Sequence, residues 1–261
     1  MDLGIAGRCA LVLGGGGGLG SAIATALADE GAIVAVADLS LPAAEATAAR
    51  IVERGGAALP IGWDLADLDA FPALHADVAA RLGAVDILVN NTGGPPPGPA
   101  AGVPAETWER HFRSMVLGVI AVTDLVLPDM RARGWGRVIT STSSGVVAPI
   151  PSLAISNALR MALVGWSKTL AGEVGGDGVT ANVILPGRIA TARIEQLDQA
   201  RAEREATTVD AVRAASTGSI PLGRYGRPEE YGAAVAFLAS AAASYLTGSI
   251  VRVDGGLIPS I

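Results

Sequence analysis

Five consecutive glycines, Gly14 to Gly18, separate the apolar run Cys9-Ala-Leu-Val-Leu13 from an Ala-rich run that begins at Leu19. A stretch without side chains adds nothing to a core, so it must be a backbone turn. With Gly20 it forms a G-x-x-x-G-x-G turn from strand into helix, carried by Gly14, Gly18, Leu19 and Gly20. Such a turn lets backbone approach a bound group. The helix behind it offers unpaired N–H groups and the positive end of its dipole to a pyrophosphate. Asp38 closes the next apolar run, 18 residues past Gly20. A carboxylate there can accept hydrogen bonds from both ribose hydroxyls and repels a 2′-phosphate. Neither the glycine turn nor Leu39-Ser40-Leu41 carries Arg or Lys. The pattern predicts a dinucleotide site, with NAD preferred over NADP.

Apolar runs alternate with Ala-rich runs along the whole chain, the signature of parallel βαβ units. Strands are expected near 8–13, 33–37, 57–62, 85–90, 136–141, 180–184 and 249–253, and helices near 19–30, 41–54, 67–82, 105–133, 152–174 and 228–240. The strands are apolar throughout, as expected when both sheet faces are covered. Right-handed crossovers then give an α/β fold, a single-domain doubly wound parallel sheet of about seven strands spanning 1–261. The segment 188–220 breaks the rhythm with Arg193, Glu195, Arg201, Glu203, Arg204, Glu205 and Arg213. It reads as a lid-like insertion over the ligand crevice, with a fixed surface helical pair as the alternative.

A net charge of −6 argues against a nonspecific nucleic-acid or anionic-membrane partner, since both need a basic face. Cys9 is the one cysteine and reads as a small buried hydrophobe. His75 and His111 lie far apart, so no metal site is expected, and His111 is placed at a helix-packing surface. No signal-like N-terminus and no apolar run of about 18 residues is visible, and the expected location is cytoplasmic.

Asn90-Asn91-Thr92-Gly93, Asp64 after the third strand, Ser143 after the fifth and Pro186-Gly187 after the sixth complete a set with the glycine turn. At this spacing the chain resembles the short-chain dehydrogenases/reductases over essentially its whole length. Asn-Asn-Thr-Gly-Gly-Pro-Pro-Pro-Gly at 90–98 and Leu153-Ala-Ile-Ser-Asn-Ala-Leu-Arg160 make it similar to an atypical branch near the 3-oxoacyl-carrier-protein reductases. The resemblance implies that Asp64 and Leu65 line the adenine pocket and that Asn91, Thr92 and Gly93 pass under the cofactor. It also implies that Pro186, Gly187, Ile189 and Thr191 hold the nicotinamide end. Relatives of this kind pair their two long helices across a two-fold axis. A homo-oligomer, with a tetramer favoured, is therefore expected through Val116, Leu117, Val119, Ile120, Leu163, Val164 and Trp166.

The chemistry departs from that family. Its tetrad is Asn, Ser, Tyr and Lys. Seven residues past Trp108 the Asn position is Met115, or Ser114 if the helix shifts by one. Ser143 is retained; the Tyr position is Ser156 and the Lys position Arg160. A serine hydroxyl is a far weaker acid than a phenol, and Arg stays protonated and cannot take a proton from it. Arg160 can still hold ribose or an anion, and with Arg188 it would form an anion clamp. The alternative is that Arg160 serves ribose and carbonyl oxygens while Arg188 serves the lid's carboxylates. Ser143, Ser144 and Ser156 could relay protons through water, or Ser156 could simply enlarge the pocket. Pro95-Pro-Pro97 is expected to shape a substrate wall. Tyr225, Tyr231 and Tyr245 read as packing or surface residues, with Tyr225 the one nearest the lid.

Three functions fit these residues. The first is an NAD(H)-dependent oxidoreductase acting on a small, possibly anionic, carbonyl or alcohol. The second is an isomerase, epimerase or dehydratase on the same scaffold, and the third a catalytically silent cofactor-binding protein. Fold alone does not separate them.

Overall fold

A computed structural model describes residues 2–261. Seven strands form one parallel sheet: β1 (Cys9–Leu13), β2 (Ile33–Asp38), β3 (Ala57–Gly62), β4 (Ile87–Asn90), β5 (Gly136–Ser141), β6 (Val179–Pro186) and β7 (Ile250–Val253), in the order β3-β2-β1-β4-β5-β6-β7. The helices are α1 (Gly18–Asp29), α2 (Leu41–Glu53), α3 (Phe71–Leu82), α4 (Ala105–Phe112), α5 (Gly118–Ala132), α6 (Ala154–Val174), α7 (Ala192–Arg204), α8 (Val209–Gly218) and α9 (Pro228–Ala239). The expected single-domain, doubly wound sheet is what forms.

Side-chain alternation explains why the strands read as unbroken apolar runs. Ala10, Val12, Val34 and Val36 face one way and pack on Ile23 and Leu27 of α1, Ile51 of α2 and Tyr231 and Val235 of α9. Leu11, Leu13, Ala35 and Ala37 face the other way, toward Phe71 of α3, Val122, Val126 and Met130 of α5, and Leu170 of α6. Each face is a core, so neither alternate set can be polar. The chain winds from β1 outward to β3, then crosses back to β4 on the other side of β1. The turns after β1 and β4 therefore part and leave a crevice at the C-terminal strand ends, where ligands of such sheets bind.

The helix expected over 105–133 is not uniform. A π-turn at Arg113–Leu117 joins α4 to α5. Beside it, Gly118 sits so close to the Leu65 carbonyl that a Cβ would clash. The missing side chain brings the helix against the loop after β3, and the wider turn offsets α4 from α5. The apolar surplus expected on these helices is also partly spent inside the fold. Met115, Val116, Val119, Ile155, Leu159 and Leu163 close a small core of their own. Phe112, Leu117 and Met161 are the large apolar residues left outward on this side.

Cys9 is buried, and desolvation, then the charge of Asp86, pushes its thiol up to about 12, so it is inert as a nucleophile. Among the described residues no helix is long and apolar enough to cross a membrane, and no cluster of three metal-ligating side chains forms.

Candidate active site

A cavity of about 970 Å³ opens at the crevice and runs from the glycine turn to α7. Its first half is mostly backbone. Gly14 turns the chain at φ +60°, and a Cβ on Gly20 would overlap the Gly14 carbonyl. Gly18 packs on Thr191, so the loop after β6 lies against the turn. The N-cap of α1 is Gly17, which offers no side-chain cap. The first N–H groups of that helix are left for an anion.

Asp38 braces this turn as well as facing the cavity. One carboxylate oxygen accepts from Gly16 N at 2.9 Å and the other from Ser40 N at 2.9 Å. Asp64 accepts from Ala66 N at 2.8 Å and, with Leu65, forms the neighbouring rim. Asn91 Nδ2 donates to Gly14 O at 3.3 Å and ties the loop after β4 to the glycine turn. Thr92 Oγ1 is buried without a partner, and Thr92 and Gly93 line the cavity. Pro186, Gly187 and Ile189 form the opposite wall, and Thr191 caps α7 by accepting from Ile194 N. An uncapped helix start, an orphaned hydroxyl and a carboxylate at the end of β2 together fit a pyridine dinucleotide.

The second half is made of side chains. Ser143 accepts from Gly145 N at 3.1 Å, which engages an oxygen lone pair and keeps its O–H for the cavity. Ser144 and the largely buried Ser156 line the same wall. Asn157, which the sequence reading passed over, holds Ile150 at both its N–H and its carbonyl.

Arg160 is largely buried at the cavity wall and donates to Ser141 O at 3.2 Å, Thr92 O at 3.1 Å and Gly93 O at 3.3 Å. It staples the end of β5 to the loop after β4. Burial pulls its pKa down to about 10; Tyr231 opposes that shift and Arg193 adds to it. The guanidinium stays protonated at neutral pH. Tyr231 bonds Ser141 Oγ at 2.8 Å, and burial pushes its phenol up, against the hydrogen bond and Arg160. It is fully buried in the core below the cavity.

The clamp of Arg160 with Arg188 does not form; the alternative does, with Arg160 on carbonyl oxygens and Arg188 on a carboxylate of the 188–220 segment. Arg188 Nη1 pairs with the buried Asp198 of α7 at 2.5 Å, and Tyr225 donates to the other oxygen of Asp198 at 2.8 Å. These three residues fix the insertion to the loop after β6. A mixed-charge stretch hides such a pairing, because any of its carboxylates could have served. Pro95 does not line the cavity: its side is filled by Pro97 and Gly94, while the Pro95 carbonyl accepts from Arg193 at 2.6 Å. His111, expected at a packing surface, instead lines the cavity together with Ser114 and Met115. Its Nε2 is shielded and unpartnered, and burial, then Arg110, lowers its pKa. Tyr245 lies fully exposed.

The comparisons with known proteins agree with this geometry. A family model described as enoyl-(acyl carrier protein) reductase matches residues 15–258. Nodulation protein G of Azospirillum brasilense is 38% identical, over 96% of this chain and 98% of that protein. The 2-dehydro-3-deoxy-L-rhamnonate dehydrogenase (NAD(+)) of a Sphingomonas species is 33% identical, over 96% and 95%. The L-sorbose reductase of Gluconobacter frateurii, crystallised with NADPH and L-sorbose, superposes with a TM-score of 0.93 at 30% identity, over 100% of both chains. The chain belongs to the short-chain dehydrogenase/reductase family. It is an oxidoreductase of that type, with a pyridine nucleotide as its class of cofactor.

Proposed function

We propose that the protein is an NAD(H)-dependent oxidoreductase for a small carbonyl or alcohol, working through a site in which Ser156 and Arg160 occupy the family's Tyr and Lys positions. The observation that carries the reading is one continuous cavity from the glycine turn and Asp38 to Ser143 and Ser156. A nicotinamide bound there would supply or accept the hydride. Ser143 holds the substrate oxygen with its free O–H, and the proton passes through Ser156 or water. Arg160 orients the loops that carry Thr92 and Ser141 and takes no proton. The segment 188–220, as α7 and α8, acts as the lid.

Relatives divide on the cofactor: the sorbose reductase was crystallised with NADPH, and the rhamnonate dehydrogenase is named for NAD(+). Asp38 supports NAD here, because it would put a negative charge beside the 2′ position and nothing cationic at Leu39-Ser40-Leu41 offsets it. The outward Phe112, Leu117 and Met161 support assembly as a homo-oligomer, with a tetramer favoured.

A screen of small ketones and alcohols with NAD(H) and NADP(H) tests the reading. Wild type should turn over with a preference for NAD(H) of about tenfold or more, roughly 1.4 kcal/mol, and Asp38→Ala should narrow it. Ser143→Ala should abolish turnover. Equal use of NADP(H), or full activity in Ser143→Ala, would overturn the corresponding half. Cofactor binding without turnover on any substrate would favour the silent binding protein.

A further inference from the structure

The substrate half of the cavity carries a charge imbalance that nothing in the cofactor reading absorbs. Five arginines line the cavity: Arg160, Arg188, Arg193, Arg201 and Arg204. Three have carboxylate partners: Arg188 with Asp198, and Arg201 and Arg204 with Glu205. Among the described residues no carboxylate lies within ion-pair distance of Arg160 or Arg193. Arg160 has three carbonyls to spread its charge over.

Arg193 has less. It projects from the first turn of α7, is half-buried, and uses Nη2 on Pro95 O at 2.6 Å. Its guanidinium lies against Gly94. A Cβ there would stand 3.3 Å from Nη2 and 3.7 Å from Cζ and Nε. Burial lowers its pKa. A guanidinium has five N–H donors in a planar fork, and the one hydrogen bond found leaves most of them free. Apolar residues, Ile150, Leu153, Ile194 and Leu197 among them, line the same cavity. A partly desolvated cation with donors to spare recognises an oxyanion, and in such surroundings the paired form is much preferred to the bare charge.

We propose that Arg193 binds an oxyanion of the substrate, a carboxylate of a small oxo or hydroxy acid, and so takes the place of Arg188 in anchoring an anion beside Ser143. The inference rests on the oxidoreductase reading of this cavity and names its substrate class. With one Nη2 proton on Pro95 O, the other Nη2 proton and the neighbouring N–H of Nε or Nη1 would meet the carboxylate, joining lid, loop and substrate in one contact. Bound anion would then hold α7 against the loop after β4.

Calorimetry with three acid–ester pairs tests it: pyruvate, acetoacetate and levulinate, each against its methyl ester, on wild type with and without saturating NAD. At least one acid should bind about tenfold or more tighter than its ester. Arg193→Gln should erase that preference with NAD affinity unchanged, and Arg193→Lys should keep part of it. No acid preferred over its ester, or an undiminished preference in Arg193→Gln, overturns the proposal. So does a matching loss of NAD affinity in Arg193→Gln, which would assign the guanidinium to the cofactor's phosphates. Failure of wild type to bind NAD would strike the cofactor reading instead, while the titrations without NAD would still decide Arg193.

Discussion

The end of the cavity under the glycine turn presents backbone, whereas the far end is lined by side chains from α4, α6, α7 and the loops after β4 and β5. At the first end, position is set by where a Cβ would not fit, as at Gly20, and by a helix start without a side-chain cap. At the second, position is set by individual hydrogen bonds such as Arg160 to three carbonyls and Arg193 to Pro95. A backbone site fails all at once when the chain cannot approach. A side-chain site loses one contact at a time, so mutations at the two ends should differ in scale as well as in kind.

The largest effect is expected at Gly20→Val. The new side chain would collide with the Gly14 carbonyl, and the turn could reopen only by moving α1 from β1. NAD affinity should fall by about a hundredfold or more, roughly 2.7 kcal/mol, in a calorimetric titration. Retained affinity would mean that the turn does not seat the phosphates, and the contrast between the two ends would collapse.

Arg160→Met should do less to NAD binding and more to stability. It removes donors from the carbonyls of Ser141, Thr92 and Gly93. Leaving buried acceptors unpaired costs about 1–3 kcal/mol, partly offset because a desolvated charge also goes. Urea unfolding measures the difference. An unchanged midpoint would show that water replaces the guanidinium, and would make Arg160 a ligand-facing group rather than a staple between loops.

The same contrast explains what the sequence made legible. Gly14 to Gly20, Asp38 and Asn91 stand next to the strands that position them, so spacing alone brought them together at the backbone end of the cavity. Both sheet faces being apolar marked the fold, because a chain with two cores cannot hide them. Of the two readings given for Arg188, pairing with a carboxylate of the 188–220 segment is the one that forms, but no pattern of charges singles out Asp198, ten residues later on another element. His111 was misplaced because the π-turn that follows it changes the face it presents, and a 3.6-residue period cannot anticipate that turn. Arg193 and Asn157 act through backbone atoms of loops, and carbonyls carry no sequence signature.

The smallest effect is expected outside both ends, at the start of α9. Glu230 accepts from Arg224 at 2.7 and 2.8 Å and from Arg227 N at 2.7 Å, an exposed cap that touches neither half of the cavity. The Arg224 hydrogen bonds first, and the Arg227 N–H second, hold its carboxyl down at about 2 against a usual 4.5. The folded state thus binds the proton less readily than the unfolded chain. The stabilisation is complete above pH 4.5 and is lost as pH falls toward about 2. Glu230→Gln should therefore lower the melting temperature slightly at neutral pH, and the gap from wild type should close steadily below pH 4.5. NAD and carboxylate affinities should not move. α9 packs along α1, directly behind the glycine turn. A loss of NAD affinity in this variant would mean that the backbone end depends on its outer support, and that its rigidity is not set by the glycines alone.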